Sequence, residues 1–172
     1  KKNDQMKVGD KVYLVVSTDQ INKLLSVFGH DEKVAKKILI IGGGNVGLHL
    51  AKLLETSEGL RTKIIEKNKI RAEQIASELS SSIVICGDPL DEKILKEANI
   101  EEVETVFALT EDDEDNIMAC VLAEKYTPSK RTIAIINKQN YNILQESLKI
   151  DDLVDPRMAT VSTIMKHVHM GT

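Results

Sequence analysis

From Ile38 to Val168, short runs of β-branched residues alternate with longer stretches whose apolar positions recur every three or four residues. The runs Ile38-Leu39-Ile40-Ile41, Lys63-Ile64-Ile65-Glu66, Ile83-Val84-Ile85-Cys86, Val106-Phe107-Ala108-Leu109, Ile133-Ala134-Ile135-Ile136 and a short Leu153-Val154 predict six strands. Several are apolar throughout, as strands covered on both faces are. Between them, Val46/Leu50/Leu53/Leu54, Ala72/Ile75/Ala76/Leu79, Ile94/Leu95/Ala98, Ile117/Val121/Leu122, Tyr141/Leu144/Leu148 and Val161/Ile164/Met165/Val168 each form one helix stripe facing a sheet. Strand then helix, repeated, predicts an α/β fold: an open, doubly wound parallel sheet with helices on both faces.

The first 36 residues break that rhythm. A strand-like Val12-Tyr13-Leu14-Val15-Val16 follows Gly9-Asp10, and Thr18-Asp19 caps a short amphipathic stretch, Ile21/Leu24/Leu25/Phe28. One strand and one helix cannot bury a core by themselves. They read as the end of a preceding domain over residues 1–30, with a polar linker at 31–36; a decoration packed on the main domain is the alternative. The chain begins at Lys1 without Met, in keeping with a piece of a longer protein.

Composition narrows the function classes. At 42% hydrophobic and 29% charged residues with a net charge of −4, the 172-residue chain is too apolar and too weakly charged for disorder. No apolar stretch is long enough to cross a bilayer, so membrane association would run through a partner rather than direct insertion. Slight acidity and the lack of a Lys/Arg block argue against nucleic acid as a partner. Cys86 and Cys120 lack metal or redox spacing and read as buried thiols.

Candidate chemistry begins where the first strand ends. Gly42-Gly43-Gly44-Asn45-Val46-Gly47 fits G-x-G-x-x-G between a strand and a helix. There Gly42 permits the tight turn, Gly44 lets the backbone approach a pyrophosphate, and Gly47 lets helix and strand pack closely. Phosphates would then sit on free N–H groups at the positive helix end; a glycine turn with an empty pocket is the bland alternative. Glu66, about 20 residues on at the end of the next strand, is placed to bind the adenosine ribose, which favours NAD(H) or an adenine nucleotide over NADP(H). Lys67, Lys69 and Arg71 soften that exclusion, and Arg71 either reaches a phosphate or is solvated. Beyond the third strand, Gly87 allows close approach and Asp88 either bonds an adenine edge or stands in a loop turn as the cap of the next helix. Thr110 and Glu111 follow the fourth strand, where the far half of a dinucleotide would reach. The acidic run Glu111 to Asp115 reads as a solvated cap for a helix from Asn116 to Lys125, with a divalent or monovalent cation site as the alternative.

With those residues in place, the chain resembles the RCK (KTN) nucleotide-binding domains of TrkA-type regulatory subunits of potassium uptake systems. The resemblance rests on Lys37 to Gly47 with Glu66, and on Cys86-Gly87-Asp88 leading into Leu95-Lys96-Glu97-Ala98-Asn99-Ile100. It extends through Leu109-Thr110-Glu111-Asp112-Asp113 with Asn116 and Val154-Asp155-Pro156-Arg157-Met158-Ala159-Thr160, so it covers Ala35 to Val168. Gly9 to Val16 looks like the last strand of the small C-terminal domain that follows each such domain. The resemblance implies a Rossmann-like nucleotide-binding domain over 37–172. It implies a cytoplasmic regulator, peripheral to the inner face of the membrane, that binds NAD(H), or ATP/ADP in related members. Such a regulator dimerises or forms higher oligomers through these domains and gates a membrane potassium-translocating subunit. Carried over by position, Gly42 to Gly47 hold the pyrophosphate, Glu66 the adenosine ribose, and Thr110 and Glu111 the far ribose or phosphate side, with Arg71 and Asp88 beside them.

No catalytic set accompanies the loop. Of four histidines, His30 lies in the linker, His49 on the first helix, and His167 and His169 near the terminus at a spacing that makes a poor metal pair. No G-x-S-x-G, HExxH or P-loop pattern occurs. Binding without chemistry is therefore expected; the alternatives are the NAD-binding domain of a small oxidoreductase, or a dimerisation scaffold with an emptied pocket.

Overall fold

A computed structural model describes residues 37–126, 131–138 and 145–154. The elements run β1 (Lys37–Ile41), α1 (Asn45–Glu55), β2 (Arg61–Glu66), α2 (Lys69–Glu78), β3 (Ile83–Cys86), α3 (Glu92–Glu97), β4 (Thr105–Ala108), α4 (Asp113–Tyr126), β5 (Arg131–Ile135), α5 (Gln145–Leu148) and β6 (Asp152–Val154). A 3-10 turn at Ile100–Glu102 follows α3, entered through Asn99 in the left-handed region at φ 55°. All six strands are parallel in the order β3-β2-β1-β4-β5-β6, the doubly wound arrangement in which β1 and β4 flank the point where the strand order reverses.

Alternation along each strand builds two cores. Ile38, Ile40, Ile64, Phe107 and Ile133 pack with Leu50, Ala51 and Leu54 of α1 and Ile75 of α2. On the opposite face Leu39, Ile41, Ile65, Val106 and Ala134 meet Leu95 of α3 and Ala119, Cys120 and Ala123 of α4. The helix-period residues therefore lie on both faces, as the sequence predicts.

Several expectations need correction. The fourth strand runs Thr105–Ala108: Thr105 already pairs with Ile38 and Arg131, and Leu109 has entered the loop. Leu53 and Ala76 stand outside the buried stripes: Leu48 and Ala51 take the inner face of α1, and only Ala72 and Ile75 are buried on α2. Cys86 is exposed, since β3 is a sheet edge where Ile83 is also 56% exposed. Cys120 is buried as expected, and burial, reinforced by the charge of Asp151, pushes its thiol up to about 12. The strand and helix read before Lys37, the last amphipathic stretch after Val154, and His30, His167 and His169 lie outside the described residues.

At the end of α1, Glu55 receives the amides of Ser80, Ser81 and Ser82, at 2.7–3.1 Å, and so fastens the chain as it enters β3. Partial burial alone would raise its pKa, but these donors outweigh it and lower the carboxyl to about 2. A carboxyl with a depressed folded pKa contributes stability that is complete above the ordinary carboxylate range and is lost as pH falls toward the folded value. The urea midpoint should therefore drop between about pH 5 and pH 2, and drop less in Glu55→Gln. Equal drops in the two proteins would remove Glu55 from the acid response.

Candidate functional site

The parallel sheet brings the loops after β1, β2 and β4 to one edge, around a cleft of about 600 Å³. Gly42, Gly44, Asn45, Glu66, Arg71, Thr110 and Glu111 line it, together with Ile65, Lys67, Asn68, Pro89, Leu109, Asp112 and Asp115. Gly43, Val46, Gly47, Gly87 and Asp88 are not among the residues that line it.

The glycine loop owes its shape to contacts on three sides. Gly42 donates to Ile65 O at 2.9 Å, then turns at φ +104°, with a would-be Cβ 2.9 Å from the Leu109 carbonyl carbon and the Thr110 nitrogen. Only glycine combines that φ with so close a crossing of the β4 end. Gly47 packs directly on the loop: a Cβ there would fall on the carbonyl oxygen of Gly42. Gly44, by contrast, has open space where a Cβ would project, and it caps α1 with backbone alone. The first-turn amides of a helix have no intrahelical acceptor, and α1 has neither a side-chain cap nor an acidic residue in its first turn. Its positive end is thus left open beside the cleft.

Glu66 closes β2 and braces the loop. Its Oε2 accepts from the Gly43 amide at 2.7 Å and its Oε1 from the Asn68 amide at 2.8 Å. A carboxylate offers about four acceptor positions, so each oxygen keeps one for a ligand hydroxyl. Arg71 reaches back from the first turn of α2, where Nε donates to Gly43 O at 2.7 Å and Nη1 to Gln74 Oε1 at 3.0 Å. The guanidinium therefore holds the loop rather than standing free in solvent. Lys67 crosses the mouth to Asp115, with Nζ 3.6 Å from Oδ2.

Beyond β4 the helix starts at Asp113, earlier than the sequence suggests, and the acidic run divides its work. Asp112 Oδ1 accepts the Asp115 amide at 2.8 Å. Asp113 is buried instead of solvated, taking the amides of Asn137 and Lys138, both at 2.9 Å, and the Asn137 side-chain amide. Burial opposes its ionisation, yet those donors and the Lys138 charge hold its pKa below the ordinary value. Fully buried Asn116 went unmarked as a site-building residue in the sequence. Its Nδ2 donates to Thr110 O at 3.0 Å and Ile135 O at 2.9 Å, while Oδ1 accepts the Thr110 amide at 2.9 Å and faces the Thr110 hydroxyl at 2.7 Å. Asn116 thus fixes the far lip of the cleft; its polarity amid an apolar helix face was the available signal.

The third-strand residues behave differently. Gly87 packs against Ile94, whose side chain would have to shift to admit a Cβ there. Asp88 shapes its own turn, Oδ1 accepting the Leu90 amide at 2.8 Å, and Asp91 is the residue that caps α3. Among the described residues no group of three or more metal-ligating side chains comes together, and no helix is long and apolar enough to cross a membrane.

Residues 38–156 match the TrkA-N domain family. A Trk system potassium uptake protein TrkA from Azorhizobium caulinodans is 45% identical over 98% of this chain, which covers 37% of that protein. The chain thus spans little more than a third of such a relative. In three dimensions it is similar to the TrkA-N domain of inner membrane protein ybaL from Escherichia coli, with a TM-score of 0.65 and 16% identity over 78% of this chain and 98% of that one. The GsuK channel bound to NAD is similar with a TM-score of 0.60 and 18% identity, over 77% of this chain and 25% of that one.

Proposed function

The chain belongs to the TrkA-N domain family, and from that premise we propose that it is the nucleotide-sensing module of a potassium uptake regulator. The open, uncapped positive end of α1, set beside a carboxylate at the end of β2, carries this reading. Together they offer a seat for a pyrophosphate and an acceptor for an adenosine ribose. The ligand is NAD(H) or an adenine nucleotide; the similar GsuK, known bound to NAD and bound to ADP, supports this class of ligand. Thr110 and Glu111 face the far half of a dinucleotide, Arg71 holds the loop that receives it, and Asp88 acts through its turn.

The module has no catalytic role. Nucleotide binding instead acts by differential affinity: a ligand that prefers one arrangement of paired domains shifts their population and moves a membrane potassium-translocating subunit. Residues 1–30, which fall within a chain that aligns almost throughout with the Azorhizobium relative, are then the tail of a preceding domain of the same regulator. In this reading the protein is cytoplasmic, works as a homodimer or higher oligomer, and reaches the inner face of the membrane through its partner.

Calorimetric titration of the chain with NAD⁺, NADH, ADP and ATP tests the proposal. At least one should bind, and Glu66→Ala should weaken it about 10- to 100-fold, the range for losing hydrogen bonds to a charged acceptor. Wild-type chain that binds none of them, or a variant that binds as well as wild type, would overturn the assignment.

A further inference from the structure

We infer that Asp115, on α4, makes the cleft discriminate against a 2′-phosphorylated ribose by holding Lys67 away from it; this rests on the nucleotide-sensing reading above. A cation close to the ribose carboxylate is what lets a cleft of this type accept a 2′-phosphate. Lys67 and Arg71 are the two cations among the described residues that line the cleft. Arg71 is fastened to the loop by three of its five donors, turned to Gly43 O, Gln74 Oε1 and, at 3.5 Å, Asn45 Oδ1. That leaves Lys67, which directly follows Glu66 and whose side chain is 69% exposed.

A lysine so exposed would be free to swing to a phosphate, but here its ammonium lies across the mouth against Asp115, 3.6 Å away. Asp115 is well placed to hold it. Its side chain is only 30% exposed, its amide is fixed by Asp112 Oδ1 at 2.8 Å, and an acidic group in the first turn of α4 complements the helix dipole. The same carboxylate adds a negative charge on the lip that a 2′-phosphate would have to approach. Selectivity thus has two parts: Glu66 repels the phosphate from beneath, and Asp115 removes the counterion that would offset the repulsion.

Titration of NADH and NADPH into wild type, Asp115→Asn and the Asp115→Asn/Lys67→Ala double variant, each checked for an unchanged thermal melt, tests the inference. Asp115→Asn should raise the NADPH-to-NADH affinity ratio about two- to fivefold, a size set by the modest strength of an exposed pair, and the double variant should return it toward wild type. An unchanged ratio in Asp115→Asn, or a gain that persists without Lys67, overturns the role of Asp115 while leaving the nucleotide reading intact. If wild type binds neither dinucleotide, this inference fails, while the nucleotide reading is then decided by NAD⁺, ADP and ATP.

Discussion

Gly44→Val is expected to leave the domain folded and to remove nucleotide binding. At φ −64° and ψ −171° the residue occupies extended backbone open to any L-amino acid, and no heavy atom lies within 4 Å of its would-be Cβ. Valine is a poorer N-cap than glycine, so stability should fall by no more than about 1 kcal/mol. The isopropyl group would project into the cleft, however, over the α1 amides that are to receive phosphate. Affinity for the best wild-type ligand should drop more than about 100-fold, since a blocked approach forfeits the phosphate contacts together. Thermal melting alongside titration reads both effects. Undiminished binding would place the ligand somewhere other than this loop.

Three residues along, Gly47→Ala should do the reverse. Alanine is the best helix former and on propensity alone would stabilise α1 by about 1 kcal/mol. Its methyl group falls on the carbonyl oxygen of Gly42, an atom fixed in turn by the Gly42 crossing over Leu109 and Thr110. Neither side can yield cheaply, because both are backbone, so overpacking should prevail by about 3 kcal/mol. A melting temperature lower by on the order of 10 °C follows, measurable by circular dichroism with no ligand present. A melt equal to or above wild type would contradict the close seating of α1 on the loop.

These two glycines also show how much the sequence reveals. The short apolar runs and the period-3.6 stripes sufficed for the order and type of the elements, because strands buried on both faces and one-sided helices leave distinct traces. The glycine spacing located the loop, and Glu66 could be found from its distance along the chain. What stayed hidden depends on pairs distant in sequence. Cys86 looked buried because an edge strand and a central strand share one composition. Asp113 looked solvated because nothing in an acidic run marks the member that turns inward to Asn137 and Lys138. Asn116 could be recognised only once Thr110 and Ile135 lay on either side of it. The Lys67–Asp115 pair, likewise, exists only after β1 and β4 have come together.

That last pairing bears on the order of assembly. β1 meets β2, and β2 meets β3, across single intervening helices, whereas the β1–β4 seam joins residues such as Lys37 and Glu104, 67 positions apart. Closing the longer loop carries the greater entropic cost and slows folding accordingly. Until β4 docks, the edge of β1 is bare and open to mispairing, and Gly42 lacks the strand end it crosses. Because Gly42 crosses the end of β4, the cleft straddles this late-closing seam, and a ligand that touches both lips resists its reopening.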